Sequence, residues 1–240
     1  MIFINNLINK KKSYSDQENS HSRYERKFSV ASLTPAELDL IVRLHPSCFS
    51  GIYYQRRVNS IYLDNRDLES SLENLYGVSN RAKVRVRWYG DITDKILSPN
   101  LEIKLKTGAV GRKIVLPIND FNLAHSLVDV LKETFNASNI PEPYKIRLEL
   151  LEPSVLVSYL RKYYVSADQK YRLTLDTAME FYKCSPKNFV TSEGKSDNSI
   201  IELKYSVEEG ANAHEVTSKF PFRVTKSSKY VSGVQALLGV

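Results

Sequence analysis

Between Arg81 and Gly90 the chain alternates strictly, with Arg81, Lys83, Arg85 and Arg87 interleaved with Ala82, Val84 and Val86. Successive side chains of a strand point to opposite faces, so this period of two predicts a strand with one apolar face and one face bearing a row of cations. Residues 101–106 repeat the arrangement, with Glu102, Lys104 and Lys106 opposite Leu101, Ile103 and Leu105. Similar patterning predicts strands over 23–31, 53–63, 112–116, 146–151, 155–165, 171–176 and 199–206, with 179–182 continuing the meander. In the first of these, Glu25 and Lys27 share one face, and Tyr24, Phe28 and Val30 fall mostly on the other.

Helix signals punctuate the strands. Thr34-Pro35-Ala36-Glu37 combines a capping threonine, a first-turn proline and a glutamate at the third position, and opens a helix that stops by Pro46. Asp64-Asn65-Arg66-Asp67 opens another, which runs to Tyr76 and closes at Gly77. Residues 120–135 predict the longest helix, with Phe121, Ala124, Leu127, Val128 and Leu131 as its core stripe. A short helix is expected over 211–219 and a final turn or helix near the terminus. Turns are expected at 107–111 and at Glu152-Pro153, and a polar loop over 183–197. Residues 5–22 are polar and aperiodic, which predicts a mobile N-terminal arm, 1–22, ahead of one folded domain, 23–240. Strands joined by short links favour an antiparallel sheet over a parallel one. The expected architecture is α+β: a closed antiparallel β-barrel of about eight strands with flanking helices.

Composition narrows the function. Lys and Arg outnumber Asp and Glu, 34 to 27, for a formal charge of +7, which favours an anionic partner: nucleic acid, a phosphorylated metabolite, polyphosphate or an acidic membrane. Cys48 and Cys184 make neither a disulfide framework nor a zinc spacing, and no apolar run reaches the roughly 18 residues that span a bilayer. The lysines at 10–12 follow the apolar start, where a secretory signal would place them before it. A cytoplasmic location is the expectation. His21, His45, His125 and His214 show no ligand spacing.

A solvated basic face explains one such strand. Recurrence changes the picture, because like charges on neighbouring strands repel unless an anion lies between them. In a barrel the charged faces line the lumen. Lys27, Arg85, Arg87, Lys104, Arg161, Arg172 and Lys204 would then converge, with Glu25, Glu102 and Glu202 among them. Arginine forks match phosphate oxygens and lysine adds a movable charge, while carboxylates are hard donors for Mg²⁺ or Mn²⁺ or partners for neighbouring cations.

Six segments in order carry a resemblance: 24–28, Arg85-Val86-Arg87-Trp88-Tyr89-Gly90, Glu102-Ile103-Lys104, 157–164, Ile201-Glu202-Leu203-Lys204 and Ser228-Lys229-Tyr230. Together, across roughly 23–235, they resemble the VTC (vacuolar transporter chaperone) domain, the polyphosphate polymerase branch of the triphosphate tunnel metalloenzymes. The resemblance implies a β-tunnel that binds triphosphate or polyphosphate. It implies Lys27, Arg85, Arg87, Lys104, Lys113, Arg161, Arg172, Lys226 and Lys229 as phosphate ligands, and Glu202 as ligand of Mn²⁺ or Mg²⁺. The usual Tyr-x-Arg-Arg pattern stands here as Tyr159-Leu160-Arg161-Lys162. The activity it implies is transfer of the γ-phosphate of ATP or another nucleoside triphosphate to a growing polyphosphate chain, with Arg85, Arg87, Lys104, Arg161 and Lys229 as the catalytic cations.

Hydrolysis of a triphosphate and polyphosphate binding without turnover use the same residues. A membrane partner that receives the product is left open. Nucleic-acid binding is the weaker alternative: Tyr159, Arg161 and Tyr163 interleave rings with a cation as a stacking platform does.

Overall fold

A computed structural model describes residues 23–92, 95–108, 110–123, 126–184 and 189–239; the expected N-terminal arm, His21 and His125 lie outside them. The strands are β1 (Arg23–Val30), β2 (Ser50–Asp64), β3 (Asn80–Tyr89), β4 (Lys95–Ile96), β5 (Asn100–Thr107), β6 (Val110–Pro117), β7 (Phe121–Asn122), β8 (Glu152–Val165), β9 (Arg172–Cys184), β10 (Phe189–Ser196) and β11 (Ser199–Ser206). The helices are α1 (Pro35–Arg43), α2 (Glu69–Tyr76), α3 (Leu127–Ala137), α4 (Glu142–Leu148), α5 (Ala213–Thr217) and α6 (Lys229–Leu238).

The main sheet is antiparallel in the order β1-β11-β9-β8-β2-β3-β5-β6, with β10 added to β9, while β4 and β7 form a separate ribbon. Six strand steps separate β1 from β5, about 28 Å in a flat sheet. Yet Lys104 of β5 lies 3.1 Å from Glu25 of β1, so the sheet curls until its two ends face each other. The expected closure does not extend to the backbone ladder: among the described residues β1 and β6 end the order without pairing. Alternation sets the face each side chain takes, but not the curvature that would bring two edge strands into hydrogen-bond register.

Two apolar cores cover the convex face. Val84, Val86 and Trp88 of β3 pack with Leu101 and Ile103 of β5 and with Leu127, Leu131 and Phe135 of α3. Phe28 of β1, Leu173 and Leu175 of β9 and Leu203 of β11 pack with Leu38 and Val42 of α1. The third core lies on the concave face, where Tyr230 and Val234 of α6 meet Val58, Tyr62, Val157, Tyr159 and Phe181.

Helix starts follow local chemistry. Thr34 and Glu37 form the predicted reciprocal cap of α1. The Asp64 region opens its helix later than expected, at Glu69, because the Asp64 carboxylate accepts the amides of Ser70 and Ser71.

Four further expectations are corrected. Residues 146–151 were expected to be a strand, but Glu142–Leu148 is helical: Pro143 in the first turn has the fixed φ a helix start needs, and Leu148 is buried in the first core while Ile146 is exposed. Glu152-Pro153 begins β8 and makes no turn. Phe121 belongs to a ribbon strand, so α3 begins only at Leu127, and part of the expected loop 183–197 forms β10 on the edge of β9. Polar composition concealed β10, since an edge strand needs only one backbone partner.

Candidate functional site

The concave face carries the charges. On β3, alternation that sends Val84, Val86 and Trp88 into the convex core leaves Lys83, Arg85 and Arg87 on the opposite side. Glu102 stands directly opposite Arg85 on β5 and gathers three cations. Arg85 Nε donates to Oε2 at 2.7 Å, Lys113 Nζ donates to Oε1 at 2.7 Å, and Arg87 Nη1 lies 3.7 Å from Oε2. Arg85 also donates to Tyr62 Oη at 3.2 Å, and Arg87 to Ser60 Oγ and Tyr159 Oη, each at 3.1 Å. Both guanidiniums are thus oriented by the protein itself. Burial raises the Glu102 pKa, but Arg85, Arg87 and Lys113 outweigh it and hold the carboxyl at about 2.

Asp176 of β9 is completely buried and anchors a second group. Arg161 clasps it with two bonds, Nε to Oδ1 at 2.6 Å and Nη2 to Oδ2 at 2.7 Å, while Lys229 Nζ lies 2.6 Å from Oδ2. Lys229 is the first residue of α6, whose cap is the Ser228 side chain. Burial works against ionisation, yet Arg161 and Lys229 keep the Asp176 pKa below the ordinary range.

A third group spans the sheet ends. Lys204 Nζ lies 2.8 Å from Glu202 and 3.9 Å from Glu25, Lys27 lies 3.8 Å from Glu202, and Lys104 reaches Glu25 from the far side. Burial opposes the charge on Glu202, but Lys204, Lys27, Lys229 and Arg161 hold its pKa well below the usual value. Lys83 has a different setting. Its Nζ donates to Ser228 Oγ at 2.9 Å, and it has no carboxylate partner among the described residues. Burial, reinforced by Lys27, Lys104, Arg81 and Arg85, brings its pKa down to about 7.

Lys27, Arg85, Arg87, Lys104, Lys113, Arg161, Lys204 and Lys229 therefore share one face with Glu25, Glu102 and Glu202. Arg172 and Lys226 are exposed. Arg172 pairs with Lys204 in register, at the end of β9, and Lys226 precedes α6, where its charge joins burial, Arg81 and Lys104 in lowering the Lys106 pKa. Sequence reasoning missed Asp176, Lys83, Tyr62, Tyr159 and Ser60 as parts of the site. Asp176 had a signal: Arg172, Thr174 and Asp176 alternate with the apolar Leu173 and Leu175. The stacking platform that Tyr159, Arg161 and Tyr163 offered as the weaker alternative is not formed, because Tyr159 is buried against Arg87 and Arg161 is locked to Asp176. His45 is structural: its ring bonds to Val216 O and Ser47 N and stacks on Phe220.

The carboxylates differ in what they can still bind. Both Glu102 oxygens are taken by cations. Glu202 and Glu25 flank Lys204, and the field of Glu202 adds to burial in raising the Glu25 pKa, although the lysines keep it low. Among the described residues no three His, Cys, Asp or Glu side chains gather into a metal cage. Two carboxylates nonetheless fit Mg²⁺ or Mn²⁺, because such ions take most of their ligands from water and substrate phosphate. Among the described residues no helix is long and apolar enough to cross a membrane.

A family model described as the VTC domain matches residues 22–238. Among solved structures, a candidate adenylate cyclase of Bacillus halodurans aligns with a TM-score of 0.50 at 15% identity, over 86% of this chain and 95% of that one. A candidate adenylyl cyclase of Hippeastrum, described as having a dominant triphosphatase activity, aligns with a TM-score of 0.50 at 13% identity, over 88% of this chain and 95% of that one. At such identities the likeness is one of fold. No curated protein matches the sequence.

Proposed function

Because the chain belongs to the VTC domain family, we propose that it is a polyphosphate polymerase that uses a nucleoside triphosphate and a divalent ion. One observation carries the reading: cations from β1, β3, β5, β6, β8, β11 and α6 turn onto one concave face, where among the described residues four carboxylates, Glu25, Glu102, Asp176 and Glu202, partner them. The surplus positive charge suits a linear phosphate chain.

Phosphoryl transfer asks little covalent chemistry of a protein, and positioning and charge stabilisation do most of the work. Arg85 and Arg87, oriented by Glu102, Tyr62, Ser60 and Tyr159, would grip the transferring phosphoryl group. Arg161 and Lys229, braced by Asp176, would hold the neighbouring phosphates, with Lys27, Lys104, Lys113 and Lys204 along the chain. Arg172 and Lys226 would meet it at the rim. A terminal oxygen of polyphosphate attacks the γ-phosphorus, the bond to the bridging oxygen of the nucleotide breaks, and the nucleoside diphosphate leaves with that electron pair. Glu202, with Glu25, would hold the Mg²⁺ or Mn²⁺, and the ion would supply positive charge against the negative charge that develops during transfer.

Water in place of the acceptor oxygen turns the same geometry to hydrolysis. The test is incubation of the purified protein with ATP and Mn²⁺ or Mg²⁺, followed by gel electrophoresis with polyphosphate staining. A ladder is expected; orthophosphate alone would establish a triphosphatase, and no turnover with any nucleotide or metal would leave a binding module. Glu202→Ala is expected to retain polyphosphate binding and lose synthesis.

A further inference from the structure

Where β2 and β8 extend past the Asp176 group, Arg56 and Arg161 stand opposite each other in the ladder. Like charges in that position repel. Arg161 is neutralised by Asp176, but Arg56 has no ion-pair or hydrogen-bond partner among the described residues, and its Nε is buried without one. Tyrosine rings surround its guanidinium instead. The Arg56 Cζ lies 5.1 Å from the ring centre of Tyr53, 5.7 Å from Tyr54, 5.1 Å from Tyr89 and 4.9 Å from Tyr163.

This cage is unusually open. Tyr54 is 80% exposed, Tyr53 60% and Tyr89 48%, so large aromatic surfaces remain in water around a cation with free donors. Tyr163 adds a buried hydroxyl without a partner. An exposed aromatic patch of this kind marks a binding surface. Its rings and guanidinium plane suit a flat π system, since both stack on nucleobases. The cage also adjoins the phosphate site: Arg161 Cζ lies 5.9 Å from the Tyr163 ring and 5.2 Å from that of Tyr159, whose hydroxyl holds Arg87.

We propose that the tyrosine rim around Arg56 binds the base of a nucleoside triphosphate whose phosphate chain runs inward over Arg161 and Arg87. The inference rests on the triphosphate reading of the site and adds the part that tells a nucleotide from an inorganic phosphate chain. Every base has a π face, so the rim accepts different bases and discriminates chiefly against ligands that have none.

The experiment is isothermal titration calorimetry with ATP, GTP and inorganic tripolyphosphate, each with Mg²⁺, on the wild type and on the double variant Tyr53→Ala/Tyr54→Ala. From the cost of removing a stacking ring, the variant is expected to bind both nucleotides about ten- to a hundredfold more weakly. Its affinity for tripolyphosphate is expected to stay within about twofold, which also shows that it folds. The Tyr53→Phe/Tyr54→Phe variant, which keeps the rings, is expected to match the wild type. Unchanged nucleotide affinity in the alanine variant, or an equal loss for tripolyphosphate, would overturn the base site while leaving the triphosphate site standing. A wild type that binds none of the three would overturn the triphosphate reading and the base site with it.

Discussion

Asp176 holds two cations with one carboxylate at zero exposure, so its replacement leaves Arg161 and Lys229 buried and uncompensated. Asp176→Asn is expected to lower unfolding stability by about 3–5 kcal/mol in urea denaturation, the usual cost of breaking a buried pair from one side. Lys83 presents the opposite case, a cation whose neighbours are also cations. Its folded pKa of about 7 lies below the ordinary 10.5, so between those values the unfolded chain binds more protons. Its contribution therefore makes stability rise with pH across that window, and the penalty is complete below pH 7. A bound phosphate chain reverses the local field and draws a proton onto the amine. Tripolyphosphate binding near pH 7.5 is expected to take up more protons in the wild type than in Lys83→Met, read from the dependence of binding heat on buffer ionisation enthalpy. Neither role was legible at its own position. Alternation with Leu173 and Leu175 puts Asp176 on the polar face of its strand but names no partner, and Lys83 looks no different from Arg85 until their partners are known.

At the scale of elements, α6 completes the charged cluster of the concave face, because it brings Lys229 and the Ser228 cap under the sheet while Tyr230 and Val234 fill the third core. Its fit depends on Gly233, where an added Cβ would lie 2.8 Å from Val155 Cγ1 and 3.0 Å from Phe181 Cδ1. Alanine would favour the helix by about 1 kcal/mol. Overpacking against a β-branched side chain costs about 1–3 kcal/mol, so Gly233→Ala is expected to destabilise on balance, measured by the thermal midpoint. Elements with strong local signals were legible: α1 from its reciprocal cap and β11 from its alternation match the expectation closely. The helix α4 was not, because Lys145-Ile146-Arg147-Leu148 alternates as a strand does, and it takes Pro143 in the first turn together with packing of Tyr144 and Leu148 against the first core to decide for the helix.

The whole molecule is a curled sheet whose ends are joined by side chains, Glu25 with Lys104, where no backbone ladder joins them among the described residues. An anion held between those ends would act as a clasp. Tripolyphosphate at about a hundred times its dissociation constant is expected to stabilise the fold by about 2.7 kcal/mol. That corresponds to a rise of about 5–10 °C in the thermal midpoint for a domain of this size. Added salt is expected to erode the rise, because the attraction is between charges. Which residues share a face, that the shared face is cationic, and which family the chain resembles could all be read along the chain, because strand alternation is a local property of the backbone and the motifs are runs of neighbouring residues. Tertiary packing settled which carboxylate serves which cation and, among the described residues, that Lys83 has none and that the sheet curls without a closed ladder. Those outcomes depend on register and curvature, which bring together residues as far apart as Glu25 and Lys104, and no local pattern encodes a distance across the fold.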